Sequence, residues 1–152
     1  MTANLETDLV VRDLVAEDIP QLLALFEACY GRTYTNPIFY DESALREAIA
    51  SGRLRPVVVE WRGRIAGHMA LTIRHPNARV CEAGNTVVLP VVRDRGLMPR
   101  LAHALHERTR RDGFSGYIHY PTTAHDIMQR ASVLNGGVET GIMLGYVPGH
   151  TK

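Results

Sequence analysis

Cysteine is scarce in this chain of 152 residues: Cys29 and Cys81 are the whole complement, with no Cys-x-x-Cys pair. That excludes a disulfide framework and a cysteine zinc site, and both residues read as buried thiols, Cys29 on a helical pattern and Cys81 on a strand. Excess charge of one sign is also lacking. Lys and Arg number 17 against 16 Asp and Glu, a formal +1, which argues against broad adhesion to nucleic acid or to an anionic membrane. No apolar run approaches the length of a membrane span. The polar, acidic start from Met1 to Asp8 has no basic segment followed by an apolar one, so no secretory signal is visible. Repeats, low-complexity tracts and linkers are missing too. With 45% hydrophobic residues, the expectation is one globular domain over residues 1–152, soluble, in a reducing cytoplasm.

Strand and helix signals alternate along the chain. Leu9 to Leu14 is β-rich, and Asp18 is placed to cap a helix whose stripe is Ile19, Leu22, Leu23, Phe26 and Cys29. An aromatic connector, Tyr30 to Tyr40, leads to Asp41 and a second helix ended by Ser51-Gly52. Pro56 to Trp61 and Ile65 to Ile73 read as a hairpin about Arg62-Gly63-Arg64. After a turn at His75-Pro76-Asn77 come a strand from Val80 to Leu89, a helix from Pro99 to Arg111, a strand from Ser115 to Tyr120, a helix from Asp126 to about Leu134 and a strand from Glu139 to Tyr146. The order β-α-α-β-β-β-α-β-α-β makes a mixed α/β sheet with helices on its faces. Strand, helix and strand through Leu89 and Tyr117 should form a right-handed parallel crossover.

The passage from Val87 to Met98 runs from strand through basic loop to helix. A helix start leaves backbone N–H groups unpaired and carries the positive end of the helix dipole, so this loop reads as an anion cradle. Gly96 permits close approach of backbone to ligand, and Arg93, Arg95 and Arg100 add positive charge. A solvated basic turn capping an ordinary helix is the alternative. On the preceding strand Glu82, Gly84, Thr86 and Val88 share a face, and the glycine suggests a bulge or close contact.

Together with the element order, Arg93-x-x-Gly96-x-Met98 resembles the GNAT superfamily of acyl-coenzyme A dependent N-acyltransferases, whose signature here is Gln/Arg-x-x-Gly-x-Gly/Ala; Met98 departs from it. The resemblance implies a GNAT-like α/β (α+β) fold: a mixed, mostly antiparallel sheet of about six strands, one parallel βαβ crossover and about four flanking helices. It implies acetyl-coenzyme A as cosubstrate, bound by Val87, Val88, Leu89, Arg93, Asp94, Arg95, Gly96, Leu97 and Met98, and no metal. The Val88 N–H would polarise the thioester carbonyl. Glu82, eleven positions before Arg93, matches the general-base glutamate of some members, because an ammonium must lose its proton before it can attack; it reads equally as a glutamate on a half-exposed strand. The tyrosine that many members carry in the last helix is absent from Ala131 to Gly137. Ser132 and Tyr120 are the nearest hydroxyls to protonate the thiolate, whose pKa near about 8.5 makes it a tolerable leaving group.

His119, Tyr120, His125 and Asp126 gather at the carboxyl end of a strand, the correct end for a site. Spacing supplies no third metal ligand and no nucleophile elbow, and His125-Asp126 reads as a helix start capped by Asp126. The aromatic connector either walls a pocket for the acceptor, a small-molecule or peptide amine, or packs onto the sheet. Chain end Tyr146 to Lys152 leaves the family's returning strand missing, so a strand-completing homodimer or a module of a larger protein is the expectation. Two functions stand: direct transfer from acetyl-coenzyme A to an amine in a ternary complex, or an acyl-coenzyme A sensor or scaffold without turnover.

Overall fold

Apolar side chains on both faces of the middle strands dictate a sheet covered on both sides. In the computed structural model, which describes residues 8–122 and 126–143, β1 (Leu9–Asp13), β2 (Leu54–Trp61), β3 (Arg64–Thr72), β4 (Val80–Val88) and β5 (Gly116–His119) lie side by side in chain order. The first four are antiparallel, and β4 pairs parallel with β5. β2 and β3 turn at Arg62 and Gly63, with φ of 51° and 75°, the left-handed pair a two-residue hairpin needs.

One face carries α3 (Leu97–Arg111). Leu97, Leu101 and Leu105 bury against Val57, Val59, Met69, Leu71, Cys81 and Ala83. Arg108 ties the far end of α3 to Asp13 and Asp112, and Arg55 joins Asp112 at 2.7 Å. The other face carries α1 (Ile19–Tyr30) and α2 (Glu42–Ala50), whose Ile19, Leu22, Leu25, Phe26, Leu45 and Ala48 meet Val58, Ile65, Ala70 and Val87. Asp41 caps α2 by accepting from the Ala44 N–H. Asp18 does not cap α1 as expected. Its buried carboxylate is held by the Arg12 guanidinium at 2.6 and 2.9 Å and by the Val15 N–H, with Arg12 the chief cause of a pKa below the usual carboxylate range. A charged partner outcompetes the weaker cap.

The β4-α3-β5 crossover is present as expected. α4 (Ile127–Leu134) follows; Asp126 precedes it but its carboxylate faces Arg130 at 3.5 Å instead of capping the helix, and His125 lies outside the described residues. Of the strand expected over Glu139 to Tyr146, residues 139–143 are not in a strand and 144–146 lie outside the described residues. The sheet is therefore one strand short of the expected six among the described residues. Cys29 is half-buried and Cys81 buried, both as free thiols. The aromatic connector packs: Phe39 stacks on Phe26 at 3.9 Å between centroids, with Tyr34 at 4.9 Å.

Candidate active site

Two strands that pair and then part leave backbone groups without partners, and β4 does this against β5. The parallel ladder runs from Val80↔Gly116 to Ala83↔His119 and stops there. Two residues later Asn85 sits at φ 53°, where the register with β3 shifts from Ala70↔Gly84 to His68↔Val87. This is a β-bulge. It falls at Asn85, not at the glycine; Gly84 remains in the ladder, and a side chain there would meet nothing within 4 Å.

Beyond the bulge, the Leu89 N–H donates to the Ala66 carbonyl at 2.8 Å. Antiparallel ladders alternate, so the backbone N–H and C=O of Val88 turn away from β3, while Thr86, inside the bulge between the paired Gly84 and Val87, has no partner in that ladder. Both carbonyls find partners outside β3. Val88 O accepts from Arg93 Nε at 3.0 Å and Thr86 O from the Tyr30 hydroxyl at 3.4 Å. The Thr86 hydroxyl oxygen is buried without a partner, a condition that costs about 1–3 kcal/mol unless a ligand satisfies it.

At the open end of the parted strands a short turn, Pro90–Val92, leads to Asp94 at φ 60° and Gly96 at φ 65°. Gly96 stands at the N-cap of α3 in the left-handed region that glycine adopts at little cost. It offers no side chain to the first-turn N–H groups, and an added Cβ would meet nothing within 4 Å. Unpaired N–H groups, a positive dipole end and open space above glycine suit a pyrophosphate. Met98 is partly buried and packs against the α3-face core. Arg93 and Arg95 stay at the loop, with Arg95 reaching the Val91 carbonyl, whereas Arg100 is drawn to the Leu9 carbonyl at 2.7 Å.

Side chains at the point of divergence occupy both faces. Cys81 and Ala83 face α3, so by strand alternation Glu82 faces the α1 side. Its half-buried carboxylate holds an ion pair with Arg74, whose Nε lies 2.7 Å away. His119, opposite Ala83, faces α4, and its Nδ1 lies 2.8 Å from the Ser132 hydroxyl. Ser132 in turn donates to the Met128 carbonyl at 2.8 Å, so His119 Nδ1 carries the proton in this bond. Burial pushes the His119 pKa down, against an upward pull from Glu82. Tyr120 lies one residue past β5 and is 40% exposed.

Of the residues singled out in the sequence, Glu82, Val88, Arg93 and Gly96 thus line one parted seam, with Ser132 joined to it through His119. Three features of the site do not follow from the sequence pattern: His119 as Ser132's partner, the tie of Tyr34 and Asn36 to Asn85 Oδ1 at 3.2 and 3.4 Å, and His68, whose Nδ1 meets the Asn85 carbonyl at 2.7 Å. One signal was available for the last: a lone imidazole in the otherwise apolar run Ile65 to Leu71. No group of three or more His, Cys, Asp or Glu among the described residues could hold a metal ion, and no helix among them is long and apolar enough to cross a membrane.

The sequence profile of the acetyltransferase (GNAT) family matches residues 19–131. The chain belongs to the GNAT acetyltransferase family. No curated protein matches it significantly in sequence. Solved structures share its fold. The aminoglycoside acetyltransferase AAC(6')-Iy, in complex with a coenzyme A bisubstrate analogue, is 18% identical over 92% of this chain and 97% of its own, with a TM-score of 0.75. The aminoglycoside acetyltransferase meta-AAC0020 from an uncultured soil metagenomic sample is 16% identical over 95% and 99%, TM-score 0.75. Glucosamine-6-phosphate N-acetyltransferase from Arabidopsis thaliana is 16% identical over 91% and 97%, TM-score 0.70.

Proposed function

We propose that this chain is an N-acetyltransferase that moves an acetyl group from acetyl-coenzyme A to the amine of a small molecule or peptide by direct attack. The observation that carries the reading is the seam itself. After Ala83↔His119, β4 presents N–H groups at Thr86 and Val88 to a gap that opens onto the left-handed Gly96 and the α3 N-terminus. The pyrophosphate would rest on the N–H groups of Leu97 and Met98, with Arg93 and Arg95 beside it. The pantetheine arm would follow the gap inward, accepting from Val88. The acyl end would then lie deepest, where the Thr86 N–H is the nearer donor to an oxygen gaining negative charge.

On the α1 face, Glu82 would take the ammonium proton, releasing Arg74 as it does so. The free amine attacks the thioester carbon, the C–S bond breaks, and the thiolate leaves with a proton from solvent or from the Tyr120 hydroxyl. Ser132, its hydroxyl donating to the Met128 carbonyl, accepts from His119 Nδ1 and orients that ring. Calorimetry with acetyl-coenzyme A, followed by acceptor-dependent thiol release over a panel of amino sugars, aminoglycosides and peptide amines, tests this. Binding with release supports transfer, and binding without release for any amine supports the sensor reading. No binding refutes both.

A further inference from the structure

A buried, neutral imidazole with one satisfied nitrogen is a poor way to fill a core. His68 is fully buried on β3 between Phe26 and Phe39, ring edges at centroid distances of 5.5 and 5.4 Å. Its Nε2 has no partner, and leucine would pack there without that cost. What leucine could not supply is the bond at Nδ1. A carbonyl only accepts, so Nδ1–H donates to Asn85 O at 2.7 Å. Asn85 is the one non-glycine residue of β4 at positive φ, a conformation that asparagine tolerates better than most but that still needs holding.

We propose that His68 is a positioning residue for acyl transfer, holding the Asn85 carbonyl and thereby fixing the bulge that aims the Thr86 N–H into the gap. The inference rests on the coenzyme A reading above. Asn85 is clamped from its other side as well. Its Oδ1 accepts from the Tyr34 hydroxyl and from Asn36 Nδ2, and its Nδ2 donates to Thr72 Oγ1 at 3.5 Å. The bulge is therefore gripped between the core imidazole and the aromatic connector packed on the α1 face. Burial holds the His68 pKa down at about 4, so near neutral pH the ring is uncharged, and its one proton sits on Nδ1, facing the Asn85 carbonyl.

Backbone amide NMR of the whole protein tests the proposal without turnover. In the wild type, acetyl-coenzyme A and coenzyme A should shift Leu97 and Met98 alike, while Thr86 should respond differently to the two. In His68→Leu the Leu97 and Met98 response should persist and the acetyl-specific Thr86 response should vanish; His68→Asn, whose amide can donate from nearly the Nδ1 position, should restore it. An acetyl-specific Thr86 response that survives in His68→Leu overturns the proposal. Should His68→Leu fail to fold, imidazole nitrogen NMR of the wild type decides. A proton on Nδ1 near neutral pH is expected, and a proton on Nε2 overturns the proposal. A wild type in which neither ligand shifts Leu97 or Met98 removes the coenzyme A reading itself, a result distinct from losing Thr86 alone.

Discussion

The two ends of the seam are built from different materials. The loop end, Arg93 to Met98, is backbone: left-handed Asp94 and Gly96, unpaired N–H groups and a helix dipole. The inner end, where β4 leaves β5, is side chain: Glu82 with Arg74, His119 with Ser132, His68 with Asn85. A backbone cradle tolerates almost any sequence that keeps its turn. A side-chain site fails or changes chemistry with one substitution. The chain keeps the Arg-x-x-Gly pattern at the backbone end, while at the other end Ser132 of α4 is bound to His119 of β5.

The largest expected effect lies at the loop end. Gly96→Trp fills the open space above Gly96 and imposes a side chain at φ 65°, so acetyl-coenzyme A affinity should fall by about 100-fold or more, roughly 3 kcal/mol. Gly96→Ala, which adds the strain without the bulk, should lose far less. Calorimetry that finds the tryptophan variant unchanged breaks the claim that this end is a backbone cradle.

Next in size is an effect of pH on stability at the inner end. The folded pKa of His68 lies at about 4, below the ordinary value of 6.5, so as pH falls the unfolded chain takes up a proton first. Stability due to this group is fully present above pH 6.5, declines as pH falls from 6.5 to about 4, and is flat below. The total is about 3 kcal/mol. Denaturant unfolding at intervals across that window should show the decline, and His68→Asn should remove it. An equal decline in both proteins assigns the effect to other groups.

Glu82→Gln tests the inner end's chemistry. It should lower kcat on the order of 100-fold while acetyl-coenzyme A affinity, which the proposed function assigns to the loop end, changes less than about twofold. A kcat within threefold of wild type would remove Glu82 as the base and leave it as Arg74's partner.

The same contrast governs what could be read from the sequence. The hairpin at Arg62-Gly63, the α2 start at Asp41 and the crossover through α3 follow from local patterns, and so does the glycine ahead of α3, because a left-handed residue before a helix is a local event. Asp18 misled because its true partner, Arg12, acts through tertiary geometry. The bulge was expected near Gly84 because glycine is the usual mark of one; it sits at Asn85 because His68, Tyr34 and Asn36 hold that residue from distant parts of the chain. His119 and Ser132 meet only when β5 and α4 are packed together. Strand alternation could not foretell the burial of His68, since β3 is covered on both faces.

Met98 provides the finest division between the two ends. Its bulk stands where the GNAT signature has Gly or Ala, which from sequence alone threatened the cradle. In the fold its side chain packs against Leu97 and Leu101 in the α3-face core, and on the reading proposed above it acts there through packing. Met98→Ala should therefore lower stability by about 1–2 kcal/mol, less than a fully buried methionine because the site is only partly enclosed. Acetyl-coenzyme A affinity should stay within about twofold, since the N–H groups of the first turn are unaltered. Thermal unfolding and calorimetry on the same preparation read the two quantities separately. Affinity that rises severalfold while stability holds would mean the methionine reaches into the cradle, and the loop end would then be controlled by a side chain after all.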